Sequence, residues 1–127
     1  MFFPPVNLEK RLERASVVSQ AVAIGDGRPY LTALLVPERE QVEALAKRAG
    51  WPDEPLAQRL RRAEVEAAFA AAVEDANREL PGFEQIKRYE VLPIAFSIEG
   101  GELTPTLKLK RRVIVQKYAD AIARLYA

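Results

Sequence analysis

The chain has 127 residues, of which 49% are hydrophobic and 29% are charged, so it has the size and composition of one globular domain and is cramped for two. Its formal net charge is only +1, which excludes the strongly basic field typical of nucleic-acid-binding proteins. Cysteine and histidine are both absent, which excludes disulfide bonds, thiol catalysis and histidine-dependent triads and leaves only carboxylates as zinc ligands.

The first half of the chain predicts a helix, a β-hairpin and a second helix. Two short segments rich in β-branched and apolar residues flank an Asp26-Gly27 turn, which is the pattern of a hairpin. The second segment has almost no polar alternation, so we expect both faces of that strand to be covered. The predicted elements are a helix over 8–15 capped by Asn7, strands over 17–24 and 30–36, and a helix over 38–49 that Gly50 ends.

The second half predicts a long helix, a short strand, a loop and a terminal helix. Alanine, arginine and glutamate favour helix over the whole of 56–80, and Pro81-Gly82 ends it. The other predicted elements are a strand over 86–92, a loop with short β-pieces over 93–110 and a helix over 113–126. This order indicates an α+β fold, with a small, mainly antiparallel sheet of about three strands packed by helices and a short β-type terminal hairpin that carries lysines.

The segment 100–114, GGELTPTLKLKRRVI, combines glycines, a proline and a dense run of positive charge. Its cations are Lys108, Lys110, Arg111 and Arg112. The residue types alone favour a solvated basic turn over a lysine presented to an anionic substrate, although cations at the start of a helix oppose the helix dipole and are locally unfavourable. If LKLK is extended, both lysines point to one side and both leucines can anchor the other.

Three segments taken together resemble the C-terminal domain of AMP-forming long-chain fatty acid–CoA ligases. They are VVSQAVAIGDGRPYLTALLVP, FEQIKRYEVL and FSIEGGELTPTLKLKRRVIVQKYADAIARLY. The resemblance runs from about Pro5 to Tyr126, and its most specific parts are IGDGRPYLTALLVP and GELTPTLKLKRR in that order.

The resemblance implies that residues 1–127 form a single lid domain, a fragment of a larger enzyme whose N-terminal adenylating domain is its partner. In such enzymes a fatty acid and ATP, with Mg²⁺, give an acyl-adenylate and pyrophosphate, and the thiol of CoA then displaces AMP. The N-terminal domain holds most of the nucleotide and the fatty acid, and the lid rotates between the two steps. We therefore expect this chain alone to bind no cofactor and to be inactive. It has no complete glycine-rich phosphate loop, which agrees with that expectation.

Matching motif to motif, the resemblance assigns the catalytic lysine of these enzymes to Lys108. Wider relatives place a glycine directly before this lysine, whereas this chain has Leu107, as the long-chain branch does. The neighbours expected to contact substrate or nucleotide are Thr104, Thr106 and Lys110. The cations expected near the phosphates of CoA, although no motif fixes them, are Arg78, Lys87 and Arg88.

Two other functions stay open at this point. A small non-enzymatic module would bind RNA through LKLKRR with Tyr89 and Phe96, against which the low net charge argues. A protein-interaction domain would keep the lid fold without catalysis. We expect a cytoplasmic protein whose full enzyme can sit at a membrane surface, and an isolated fragment that can self-associate through a face left apolar. Phe2 and Phe3 fit either local packing or contact with a missing domain.

Overall fold

The computed structural model describes residues 5–127, with side chains described from residue 7 onward, so the expectation for Phe2 and Phe3 lies outside the described residues. The elements are α1 (Pro5–Leu12), β1 (Val18–Ile24), β2 (Leu31–Pro37), α2 (Arg39–Ala49), α3 (Leu56–Arg59), α4 (Ala63–Asn77), β3 (Ile86–Val91), α5 (Arg111–Lys117) and α6 (Ala119–Leu125). A 3₁₀ turn, Gly82–Glu84, precedes β3. The predicted α+β class and the three strands are confirmed.

The sheet has the strand order β1-β2-β3 and is mixed. β1 and β2 form the predicted antiparallel hairpin, whereas β2 and β3 are parallel. The sequence predicts a mainly antiparallel sheet, and the structure differs in this second pairing. The reason is the connection: α2, α3 and α4 carry the chain from the end of β2 back past the sheet, as a parallel pairing requires.

Helices cover both faces of the sheet, and a separate apolar cluster fills the space on each side. On one face α1 and α4 pack against the strands, with Leu12, Phe69 and Leu35 among the buried residues. On the other face the C-terminal segment supplies Ile114 and Ile122 against Leu34. Every residue of β2 is buried, so the prediction that both its faces are covered is confirmed.

The long helix predicted over 56–80 is two helices with a break at residues 60–62. Helix propensity does not cause this break; tertiary contacts of two arginines do. Arg59 is buried and its guanidinium donates to the Glu43 carboxylate and, at 3.2 Å, to the carbonyl oxygen of Pro52. Arg62 pairs with Glu54 at 2.6 Å.

Two further helix boundaries differ from the predictions. α1 begins at Pro5, so Asn7 lies inside it and does not cap it. The predicted terminal helix is divided into α5 and α6 by Tyr118, whose backbone φ of −109° and ψ of 29° depart from helical values. The division matters for the site because Tyr118 turns its hydroxyl toward the loop that precedes α5.

Candidate functional site

Residues 102–110 form a small hairpin, here called the lysine hairpin. Leu103 and Leu109 make an isolated antiparallel bridge, and the Lys110 amide donates to the Glu102 carbonyl at 2.7 Å. At the tip, the Thr104 amide donates to the Lys108 carbonyl at 2.8 Å, and the Leu107 amide donates to the Thr104 carbonyl at 2.8 Å. This pattern is a tight turn followed by one residue in the left-handed region, which is a common three-residue hairpin loop.

The left-handed residue is Leu107, whose φ is +65°. Its side chain is 62% exposed, so the prediction that Leu107 anchors the loop is wrong. Side chains alternate between two sides only along an extended backbone, and the positive φ of Leu107 interrupts that conformation. Leu109 is half-buried and packs against the apolar cluster that contains Ile114 and Ile122, so it is the leucine that anchors this arm.

The threonines next to Lys108 stabilise the turn. The Lys108 amide donates to Thr104 Oγ1 at 3.0 Å, and the hydroxyls of Thr104 and Thr106 lie 3.1 Å apart. Lys108, Thr106 and Lys110 are exposed and Thr104 is half-buried. Lys108 therefore stands at the surface, on a loop whose backbone is fixed by several hydrogen bonds.

A buried carboxylate, Glu102, lies under the first arm of the hairpin. It is 2% exposed and accepts hydrogen bonds from Lys117 Nζ at 2.5 Å, the Tyr118 hydroxyl at 3.0 Å and the Ser97 amide at 3.1 Å. Burial acts to raise the pKa of Glu102, but these hydrogen bonds outweigh burial and hold that pKa below its usual value. Gly100 makes room for the carboxylate, because a Cβ at residue 100 would lie 2.4 Å from Glu102 Oε1.

A second buried carboxylate, Glu9 of α1, holds the residue that begins α5. Arg111 donates to both Glu9 oxygens, at 2.6 Å to Oε2, and Glu9 Oε2 also accepts the Ala23 amide of β1 at 2.8 Å. The pairing with Glu9 raises the pKa of Arg111. The sequence suggested that Arg111 was a surface or interface charge, and the structure shows that it pairs with Glu9 while 37% of its side chain stays exposed. Glu9 offered one signal that was missed, since it lies three residues before the buried Leu12 on one helix face.

The three cations expected near CoA phosphates contact different parts of the molecule. Arg78 is exposed at the end of α4 and pairs with Asp75 at 3.2 Å. Lys87 is exposed where the register of β2 and β3 shifts. Arg88 donates to the carbonyl oxygen of Ala127 at 3.0 Å, next to α6. The contacts of Arg78 and Arg88 therefore lie at different places, the end of α4 and the residue that follows α6.

The RNA-binding alternative depended on two aromatic side chains, and the structure uses both in packing. Phe96 is buried, with its ring centroid 5.9 Å from that of Tyr118. Tyr89 is half-buried against the first apolar cluster. The buried ring of Phe96 cannot stack on a base as single-stranded RNA binding requires, and only part of the Tyr89 side chain is exposed.

Two further features are absent from the part of the chain that the structure describes. Among residues 5–127, no three aspartate or glutamate side chains come together as a metal site would need. Over the same residues, no helix is long and apolar enough to cross a membrane.

The sequence profile of the AMP-binding enzyme C-terminal domain matches residues 3–127. The chain belongs to this family. Its relatives include a Mycobacterium tuberculosis protein with the provisional name fatty-acid–CoA ligase fadD11, which is 42% identical over 97% of this chain and 22% of its own length. Long-chain-fatty-acid–CoA ligase FadD15 of the same organism is 36% identical over 96% of this chain and 20% of its own length. The chain thus spans about a fifth of the length of these relatives.

A solved structure has the same fold. The A domain of carboxylic acid reductase from Segniliparus rugosus, in complex with AMP and a co-purified carboxylic acid, matches 99% of this chain with a TM-score of 0.74 and 24% identity. This chain corresponds to 18% of that structure. The family assignment confirms the resemblance of the sequence to the C-terminal domains of AMP-forming ligases.

Proposed function

We propose that this chain is the lid domain of an AMP-forming long-chain fatty acid–CoA ligase and that Lys108 is the lysine it delivers to the adenylation site. One observation carries the proposal: in a member of this family, the lysine of the LTPTLK motif stands exposed at the tip of a hairpin with a fixed backbone. A charge held in this way suits an anion bound on another domain.

The chemistry of adenylation explains what such a lysine does. The carboxylate of the fatty acid attacks the α-phosphorus of ATP, an oxygen–phosphorus bond forms, and pyrophosphate leaves. Negative charge gathers on the oxygens around phosphorus in the transition state, and a positioned ammonium group stabilises it. A compact lysine charge is well suited to phosphate contact, and this role requires no proton transfer.

The partners in this proposal follow from the names of the relatives, which describe fatty-acid–CoA ligases, and from the lack of a complete glycine-rich phosphate loop in this sequence. The fatty acid and ATP with Mg²⁺ bind mainly to the N-terminal adenylating domain, and CoA enters for the second step. Arg88 already contacts the carbonyl oxygen of Ala127. Arg78 is likewise paired, with Asp75, so the exposed side chain of Lys87 is the best candidate of the three for the CoA phosphates.

The test is Lys108→Ala in the full enzyme, in which this chain is joined to its adenylating domain. We expect the rate of acyl-adenylate formation to fall about 100-fold or more, as for other groups that stabilise transition-state charge. Thioester formation from supplied acyl-AMP and CoA should stay near the wild-type rate. Arg112→Ala is the matched control, because Arg112 is also an exposed cation of this segment and is not among the residues expected to contact substrate or nucleotide.

An equal loss in both half-reactions would show that Lys108 has a general structural role, and the assignment would be wrong. An equal loss in the Arg112→Ala variant would show that the effect is one of net charge and does not depend on the position of Lys108.

A further inference from the structure

We propose that Glu9 and Glu102 are positioning residues for Lys108, each holding one arm of the lysine hairpin to a different part of the domain. The hairpin then moves with the lid as one rigid body, and Lys108 reaches the adenylation site by rotation of the whole domain. This inference rests on the proposed function and adds to it the residues that fix the lysine.

The first arm is held by Glu102. Its backbone carbonyl accepts the Lys110 amide at 2.7 Å, so it takes part in the hairpin ladder. Its side chain is buried and binds Lys117 of α5 and Tyr118 at the junction with α6. Lys117 Nζ also donates to the Gly100 carbonyl at 3.1 Å, which closes the loop that leads into the hairpin. One carboxylate therefore joins the arm to both C-terminal helices.

The second arm is held by Glu9 through Arg111, three residues after Lys108. The two side chains form a two-pronged pair across 102 positions of sequence. Glu9 is buried, and it is tied to the edge of β1 through the Ala23 amide. This pair therefore joins the end of the hairpin to α1 and to the sheet.

The hairpin needs such anchors because its own hydrogen bonds define the turn but do not fix the position of the hairpin on the domain. A two-stranded hairpin is marginally stable alone, and this one has a single bridge and a leucine with positive φ at its tip. Buried carboxylates are costly, and apolar residues would serve equally well for packing. Catalytic groups, in contrast, must be held to within about half an ångström, which directional hydrogen bonds to both arms can provide.

The experiment compares Glu9→Gln and Glu102→Gln with Glu13→Gln in the full enzyme. Glu13 is the matched control, because it directly follows α1 and accepts the Ala21 amide of β1 at 3.0 Å, as Glu9 accepts that of Ala23. We expect the kcat of adenylation to fall about tenfold in the first two variants, in the range of other supporting residues. The KM for ATP and the rate of the thioester step should be nearly unchanged in both variants. Glu13→Gln should form the acyl-adenylate at nearly the wild-type rate.

The same substitutions in a Lys108→Ala background separate positioning from general stability. Because Glu9 and Glu102 act through Lys108, their further effect on adenylation should disappear when that lysine is absent. An equal fold-loss with and without Lys108, or an equal loss in Glu13→Gln, would overturn the proposal. A Lys108→Ala variant with wild-type adenylation would instead overturn the proposed function.

Hydrogen exchange of the 127-residue chain provides a readout that needs no activity. The amides of Thr104 and Lys110 donate within the hairpin and should exchange at least tenfold faster in Glu102→Gln, whereas amides of β2 should keep their protection. Unchanged protection of both hairpin amides would overturn the role of Glu102. If Glu9→Gln fails to fold, Arg111→Met tests the same tie and leaves the bond between Glu9 and Ala23 in place.

Discussion

Leu107 occupies the left-handed region, with a φ of +65°, at the position directly before Lys108. This conformation brings the Cβ atom close to the backbone and costs roughly 1–2 kcal/mol for a residue other than glycine. Since the side chain is 62% exposed, packing recovers little of that cost. The wider pattern of glycine before the lysine therefore has a physical reason in this hairpin: the turn requires a positive φ there.

A substitution series at residue 107 tests this account. Leu107→Gly should leave the free energy of unfolding unchanged or raise it slightly, because relief of strain is offset by the greater chain entropy of glycine in the unfolded state, about 0.5–1 kcal/mol. Leu107→Val should lower it by about 1 kcal/mol, because a β-branched residue is worse in this region. Urea denaturation gives the order, and a valine variant as stable as the glycine variant would refute it.

Gly100 is required for a different reason, the close approach of the Glu102 carboxylate. Gly100→Ala should destabilise the chain by roughly 1–3 kcal/mol, as overpacking usually does, because the new methyl group would lie 2.4 Å from Glu102 Oε1 and 2.9 Å from Ser97 Oγ. Gly82→Ala is the control, since a Cβ at residue 82 meets no atom within 4 Å. Equal melting temperatures for the two variants would show that the loop adjusts freely.

The sequence could single out Lys108 as the candidate lysine because its motif is specific, but it could not show which residues the hairpin contacts. Glu102 follows two glycines and has no helical or strand periodicity to mark it as buried. The partner of Arg111 lies 102 positions away, and no local pattern reveals such a contact. Local patterns also suggested that Leu107 was an anchor, because alternation presumes a regular backbone.

At the scale of secondary-structure elements, the junction of α5 and α6 is tied to the hairpin by Tyr118. Burial and the hydrogen bond to Glu102 raise the pKa of Tyr118 to about 12. The usual value is 10.0, so the stability associated with this proton is complete below pH 10 and is lost as the pH rises through about 12.

Ultraviolet titration of the tyrosines tests this contact. The chain has four tyrosines, and we expect the step near pH 12 to be missing in Tyr118→Phe. In Glu102→Gln that step should move to lower pH, because the carboxylate charge that disfavours the phenolate is gone. A titration curve unchanged by Glu102→Gln would contradict the contact.

The predicted and observed bounds of the secondary-structure elements agree where tertiary packing favours the same structure as local propensity. The hairpin of β1 and β2 and the helix α2 lie close to their predicted bounds. The break between α3 and α4 was not predicted, because the residues around it are good helix formers and the contacts of Arg59 and Arg62 with Glu43 and Glu54 override them. The predicted ends of α1 and of the terminal helix also differ from the observed ones.

At the scale of the whole molecule, helices cover both faces of the sheet, whereas the candidate site around Lys108 is open to solvent. The α+β class and the covered central strand follow from composition and pattern. The parallel pairing of β3 does not, because it depends on the path of a crossover and no short segment encodes it. The hairpin presents Lys108 outward, which agrees with a site completed by another domain.

The most direct test of this view is fatty-acid-dependent exchange of pyrophosphate into ATP. It should be measured for the 127-residue chain, for the adenylating domain and for the two joined. Our account predicts no exchange by the chain, weak exchange by the adenylating domain, and exchange about 100-fold faster or more when the two are joined. Exchange catalysed by the chain alone, or a joined protein no faster than the adenylating domain, would contradict it.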